Sequence, residues 1–218
     1  MKILNPTYLR ALSTIQAPKK ARHAHLDGVQ VVQDATLNGT LTYTTTNGQV
    51  LVRVTHQNGA NFTMMDRSDK AACDFTVWMD RETIKQIPTK ATAEYIREYT
   101  KVDGEHHGVR GECAVIIRGN GSETRLTPSE LASEYPDCER VISSATQPGT
   151  DTPELNVWID PALCAGVMAA CGKLGAETMH LEQPGGPGTP MVLTGTCGDD
   201  DDTVLALVMP MRTPDSHR

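Results

Sequence analysis

The sequence predicts an α+β fold of three β-α-β-β-β units, with short helices covering one face of antiparallel sheets. Three observations carry this prediction. Phe75-Thr76-Val77-Trp78-Met79-Asp80 and Leu155-Asn156-Val157-Trp158-Ile159-Asp160 share a Val-Trp-apolar-Asp core 80 residues apart and hold both tryptophans, an internal repeat that outranks local propensity. In each copy a short strand stops at an Asp whose carboxylate can accept from the free N–H groups opening a helix. Turn residues then separate strand-length apolar runs behind each helix start.

In chain order, residues 2–4 make a short strand, and Asn5-Pro6 opens a helix on the spacing of Tyr8, Leu9, Leu12 and Ile15. Strands at 29–32, 39–45 and 49–56 follow, joined through Asn38-Gly39 and Asn47-Gly48 turns. The second unit has its helix at 80–87 and strands at 93–100, 111–118 and 123–127, with residues 119–121 turning between the last two. The third helix starts at Pro161, favoured at the first helical position, and Gly172 and Gly175 end it. Strands at 178–182 and 191–194 lead to the apolar run that begins at Val204 and closes on Met209-Pro210-Met211-Arg212. That run reads as an edge strand, because proline donates no ladder hydrogen bond. Its two methionines suit a surface that grips varied apolar partners.

A chain of 218 residues with 39% apolar and 22% charged residues is ordinary for a soluble globular protein, and 4% aromatics demand an aliphatic core. No stretch approaches the roughly 20 apolar residues of a membrane span or matches a secretory h-region, so a cytoplasmic protein is expected. Cys73, Cys113, Cys138, Cys164, Cys171 and Cys197 lack a Cys-x-x-Cys spacing and read as reduced, mostly buried thiols. A net charge of −7 opposes bulk coating of nucleic acid, but the charge is uneven. The first 26 residues carry Lys2, Arg10, Lys19, Lys20 and Arg22 and no acid, whereas Asp151 to Asp202 holds nine acids against Lys173. An acidic body with one basic face suits contact with phosphates on that face alone.

Three segments resemble the bacterial sliding clamp, the β subunit of the replicative DNA polymerase. The Val208-Met209-Pro210-Met211-Arg212 tail matches the family's ending completely. Thr46-Asn47-Gly48-Gln49-Val50-Leu51 resembles its Thr-Asp-Gly-His-Arg-Leu turn, with Thr46, Gly48 and Leu51 identical and Asn47, Gln49 and Val50 changed. Tyr135-Pro136-Asp137-Cys138-Glu139-Arg140-Val141-Ile142 resembles its Pro-Asp-Tyr-Arg-Arg-Val junction, with Pro136, Arg140 and Val141 matching. The resemblance covers about residues 1–212 and implies a clamp-type domain of two units at 1–143 and a half-domain at 153–212, as in a truncated, divergent member.

That resemblance implies a DNA sliding clamp, a processivity factor that encircles duplex DNA as a homo-oligomeric ring. Family rings hold twelve units, so three per chain favour a tetramer. Polymerase and clamp-loader peptides would enter a pocket made by Thr46, Gly48, Gln49, Leu51, Pro136, Arg140, Val141, Val208, Met209, Pro210, Met211 and Arg212. Helices lining the hole would meet phosphates, without sequence preference, through Arg10, Lys19, Lys20, Arg22, Arg81, Lys85, Lys90 and Lys173. The alternative is an adaptor or decoy that keeps the pocket without a ring.

No catalytic site and no cofactor are expected. Asp199-Asp200-Asp201-Asp202 lacks the loop signature of a cation site and reads as a solvated hairpin tip, the opposing reading being a metal-dependent nuclease. His23-x-His25 and His106-His107 have no Cys or His at a zinc spacing. Gly185-Gly186-Pro187-Gly188 is a turn, since no Lys-bearing helix follows it.

Overall fold

The structure, a computed structural model, describes residues 2–15, 26–34, 40–56, 75–87, 92–97, 113–119, 122–126, 135–147, 157–185, 188–198 and 202–211. The first unit comprises β1 (Lys2–Leu4), α1 (Pro6–Leu12), β2 (Gly28–Asp34), β3 (Thr40–Thr46) and β4 (Val50–His56). The second comprises β5 (Phe75–Asp80), α2 (Arg81–Gln86), β6 (Thr92–Arg97), β7 (Cys113–Gly119) and β8 (Ser122–Leu126). After α3 (Cys138–Thr146) come α4 (Pro161–Lys173), β9 (His180–Glu182), β10 (Met191–Cys197) and β11 (Asp202–Val208).

Two antiparallel sheets result, one in the order β1-β6-β7-β8 and one in the order β5-β2-β3-β4-β11-β10-β9. The first two units exchange their leading strands. β1 lies on the β6 edge of the second unit's sheet, and β5 lies on the β2 edge of the first unit's sheet. The third unit joins the first through β4 and β11, paired from Val50↔Val208 to Thr55↔Thr203.

Short polar side chains start each helix. Asn5 Oδ1 accepts from the Thr7 and Tyr8 N–H groups, Asp80 from Thr83 N–H at 2.7 Å, Asp137 from Arg140 N–H at 3.1 Å and Asp160 from Ala162 N–H at 2.8 Å. At the end of α4, Gly175 takes a left-handed φ of 86°. Its N–H and that of Ala176 then reach the carbonyls of Gly172 and Cys171, a Schellman closure.

Strand alternation divides the apolar residues between the two faces of the long sheet. Val31, Tyr43, Val52, Val54, Val77, Leu193, Val204, Ala206 and Val208 pack with Leu9, Leu12, Ile84, Val167 and Cys171 of α1, α2 and α4. On the opposite face Leu51, Trp78, Val192 and Leu207 pack with Tyr135 and with Cys138 and Ala145 of α3.

Two expectations need correction and one helix is added. The run ending at Val208 is not an edge strand: β11 lies between β4 and β10, and it carries apolar residues to both faces because both are covered. The three expected helices, α1, α2 and α4, cover one face, and a further helix, α3, covers the other. In the third unit, residues 157–160 form no ladder, whereas the equivalent β5 pairs along its length with β2. Trp158 is accordingly 58% exposed while Trp78 is 3% exposed.

The strand set at 178–182 shortens to β9, and those at 191–194 and from 204 lengthen to β10 and β11. The Asn38-Gly39 turn, His23, His25, His106 and His107 lie outside the described residues. Among the described residues no helix is long and apolar enough to cross a membrane.

Candidate functional site

A cavity of about 370 Å³ opens on the α3 face where β3, β4 and β11 meet. Its floor is the hairpin between β3 and β4. Asn47 Oδ1 accepts from the N–H groups of Gln49 and Val50, both at 2.9 Å, and Thr46 Oγ1 donates to Val50 O at 2.7 Å while accepting from Gly48 N–H at 3.1 Å. Gly48 supplies the left-handed φ of 87° that this turn needs. These bonds hold Thr46, Gly48, Gln49, Val50 and Leu51 at the cavity wall.

The second wall comes from β11. Leu207 lines the cavity, and Met209, just past the strand, is tied to the hairpin by its N–H donating to Gln49 O at 2.8 Å. Pro136, Cys138 and Val141 make the third wall. Arg53 holds α3 there, its Nη1 2.7 Å from Glu139 Oε1 and its Nε donating to Thr44 Oγ1. Tyr135 adds a buried bond from Oη to Thr44 O at 3.0 Å. Burial pushes the Cys138 thiol up to about 11 and raises Tyr135 well above the usual phenol range, so both stay neutral. An apolar lining with a few backbone polar groups is built to take aliphatic or aromatic side chains.

Of the sequence-chosen residues, Thr46, Gly48, Gln49, Leu51, Pro136, Val141 and Met209 line this one cavity. Val208 does not: it packs on the helix side of the sheet, because neighbours along a strand point to opposite faces. Leu207 takes the place chosen for Val208. Arg140 is exposed on α3, and Pro210 and Met211 continue past the cavity, with Met211 N–H donating to Trp158 O. Arg212 lies outside the described residues. Leu26, Val50, Cys138 and Leu207 also line the cavity. Leu207 was findable from the alternation of Val204, Ala206 and Val208, whereas Leu26 carries no local signal.

The described basic candidates, Arg10, Arg81, Lys85 and Lys173, belong to α1, α2 and α4, the helices that pack on one face of the long sheet. Arg10 of α1 donates from Nη2 to Ile87 O beyond α2, so it joins the two helices. Arg81 opens α2 with its N–H donating to Asp27 O at 3.1 Å. Lys85 is exposed and 2.6 Å from Glu82, and Lys173 is exposed at the end of α4. Lys19, Lys20, Arg22 and Lys90 lie outside the described residues.

Asp202 is not part of a solvated tip. It is fully buried, with Oδ2 accepting from Tyr8 Oη at 2.5 Å and from His56 Nδ1 at 2.7 Å. A carboxylate oxygen accepts only, which places the imidazole proton on Nδ1. Burial and the bond to Asp202 raise Tyr8 far above the ordinary phenol value, so it remains a donor. Tyr8 meets Tyr43 and His56 edge-on at 5.7 and 6.1 Å, and Tyr43 Oη accepts from Asn5 N–H at 2.9 Å. Among the described residues no group of three or more His, Cys, Asp or Glu could hold a metal ion; Asp199, Asp200 and Asp201 lie outside them.

Solved structures similar in fold to this chain include bacterial β clamps. The Thermotoga maritima DNA polymerase III β subunit superposes with a TM-score of 0.55 at 13% identity, over 97% of this chain and 65% of that one. The chain has the sliding-clamp fold. The Helicobacter pylori β clamp in complex with diflunisal gives 0.54 at 10% identity, over 95% and 64% of the two chains. The Bartonella birtlesii sliding clamp bound to griselimycin gives 0.54 at 12% identity, over 97% and 66%. This sliding-clamp fold thus spans just under two thirds of the length of the clamps it matches. No protein-family model matches the sequence, and no curated protein does.

Proposed function

We propose that the protein is a divergent DNA sliding clamp, a non-catalytic processivity factor in the cytoplasm that encircles duplex DNA as a homo-oligomer and captures polymerase and loader peptides. It comprises a two-unit domain at residues 1–143 and a half-domain at 153–212. The observation that carries this reading is the cavity of about 370 Å³, to which three separate chain segments bring Leu51, Val141 and Met209 on the face opposite α1, α2 and α4. Peptide capture and DNA contact then use opposite faces of one sheet. A peptide buries its apolar side chains against Leu51, Val141, Leu207 and Met209, and the adjacent exposed Met211 adapts to different partners. Arg140, exposed on α3, and Arg212 would pair an acid or carbonyl of the peptide.

Arg10, Lys19, Lys20, Arg22, Arg81, Lys85, Lys90 and Lys173 meet phosphates through weak interactions that let the ring slide. Three units per chain close a ring of twelve with four chains.

Griselimycin, bound by the B. birtlesii clamp, is the direct probe. Calorimetric titration is expected to give saturable binding to the full chain, lost on deleting Met209 to Arg212 with the circular-dichroism spectrum unchanged. Equal binding by the deletion variant removes the cavity from the proposal. DNA binding is read separately: replacing Lys19, Lys20 and Arg22 by Ala is expected to reduce the slope of log affinity against log salt by about 0.9 for each phosphate no longer neutralised. Identical slopes place these residues away from DNA. An adaptor without a ring would bind griselimycin yet fail to stay on closed circular DNA.

A further inference from the structure

In the first two units, each leading strand completes the other unit's sheet: β1 on β6 and β5 on β2, both antiparallel. The third unit has the same parts but no exchanged strand among the described residues: Val157 and Ile159 pack against the core on the helix side and Trp158 O accepts from Met211 N–H, which leaves the other edge of this segment without a ladder. Its strands run β11-β10-β9, leaving β9 at the outer edge where the first unit's β2 receives β5. Its leading segment, Val157-Trp158-Ile159, precedes the Asp160 cap of α4 as Val77-Trp78-Met79 precedes the Asp80 cap of α2, yet it joins no ladder.

We propose that a second copy of this chain completes the third unit by strand exchange, Val157-Trp158-Ile159 of each copy pairing antiparallel with the β9 edge of the other. The two vacancies are complementary under a two-fold axis, the relation that the first two units already show, so one contact fills both and closes isologously. Continuity adds support, because β9 is an outer strand of the seven-stranded sheet among the described residues and pairing there extends an existing ladder. The side chains agree. Trp158 is 58% exposed where Trp78 is covered, and Leu181 on β9 is a further exposed apolar residue. Strand exchange would cover Trp158 as its counterpart is covered, and the two half-domains would together make one more two-unit domain. This deepens the ring reading by supplying one of the two kinds of junction a tetramer needs, but the interface itself depends on neither DNA nor peptide.

Sedimentation equilibrium of the full chain at micromolar concentration is the test. The expected mass is that of a dimer or a tetramer, halved both by Val157→Pro, which removes a ladder N–H, and by Leu181→Lys, which charges the receiving edge. Urea midpoints matching the parent at low protein concentration show that the variants fold, and if Val157→Pro does not fold, Leu181→Lys decides. A monomeric parent overturns the proposal, whether the edge is left to a foreign strand or to another part of this chain. So does a folded Leu181→Lys variant of unchanged mass. A dimer that neither takes griselimycin nor stays on circular DNA upholds the interface while removing the clamp reading.

Discussion

Removing the Asp202 carboxylate is the perturbation whose effect follows most directly from the geometry. Asp202 opens β11, is fully buried, and takes hydrogen bonds from Tyr8 of the first helix at 2.5 Å and from His56 at the end of β4 at 2.7 Å. Each bond to a charged acceptor contributes about 1.5–3 kcal/mol, and Asp202→Ala also strands the buried Tyr8 hydroxyl. The expected loss is about 3–5 kcal/mol, a large fraction of a typical domain's 5–15. Urea unfolding followed by tryptophan fluorescence reads it: with a slope of about 2 kcal/mol per molar, the midpoint falls by roughly 1.5–2.5 M. A double-mutant cycle identifies the bond itself. Tyr8→Phe should cost about 1.5–3 kcal/mol in the parent and close to nothing once Asp202 is Ala. A loss under about 1 kcal/mol for Asp202→Ala, or an equal cost of Tyr8→Phe in both backgrounds, refutes the role given to this network.

Gly28→Ala should lower Tm by about 2–12 °C in calorimetry, because a Cβ there lies 2.5 Å from Met79 O and 2.7 Å from the Trp78 ring, an overpacking worth about 1–3 kcal/mol; an unchanged Tm contradicts that close approach. Asn47→Ala should weaken griselimycin binding several-fold through loss of the two side-chain bonds that shape the hairpin, whereas Asn47→Asp keeps the oxygen that accepts both and should bind as the parent does. Burial holds the Cys138 thiol at about 11, so alkylation by iodoacetamide at pH 8, followed at that site by mass spectrometry, should run about 100-fold slower than for a thiol at 9. The rate should rise about tenfold per pH unit toward 11. Because the unfolded thiol ionises first, Cys138 contributes its stability fully below pH 9 and loses it as pH climbs to 11, and a flat alkylation profile contradicts the burial.

The repeat was legible because it rests on local chemistry: an apolar strand, an Asp that caps, and a helix behind it recur wherever the backbone needs them. Burial of the repeat was not. Val77-Trp78-Met79 and Val157-Trp158-Ile159 are near-identical as sequence, and only the tertiary pairing differs, a full ladder with β2 for one and a single backbone bond from Met211 N–H for the other among the described residues. Pro210 is a misleading signal for the last strand, because it marks where β11 stops and says nothing of what flanks it. The central position is written instead in apolar residues on both parities, Val204, Ala206 and Val208 against Leu205 and Leu207. α3 is absent from the expected elements although Asp137 caps it and Val141, Ile142 and Ala145 recur at helical spacing, because the same residues carry the junction motif. The hairpin half of the cavity followed from Thr46 to Leu51, where turn chemistry is local, while Leu26 arrives through packing that no short window contains.

The cavity and the buried Asp202 network sit at opposite ends of one ladder, which couples binding to sheet integrity. β4 and β11 pair from Thr55↔Thr203 to Val50↔Val208, with the Tyr8–Asp202–His56 bonds just beyond the first pair and the Met209 N–H bond to Gln49 O just beyond the last. A slip of one residue turns Leu207 away from α3 and presents Val208 or Ala206 in its place, losing a cavity wall at one end and separating Asp202 from His56 at the other. The paired register therefore needs both ends, and a ligand that touches Leu51 and Leu207 together binds only that register. Binding to the folded register alone stabilises it, by about 2.7 kcal/mol at a hundredfold excess over Kd. Asp202→Ala should thus weaken griselimycin binding from the far end of the strand, without touching the ligand, and saturating griselimycin should recover much of the lost urea resistance. A variant destabilised in urea yet binding as tightly as the parent would show that the two ends of the ladder are independent.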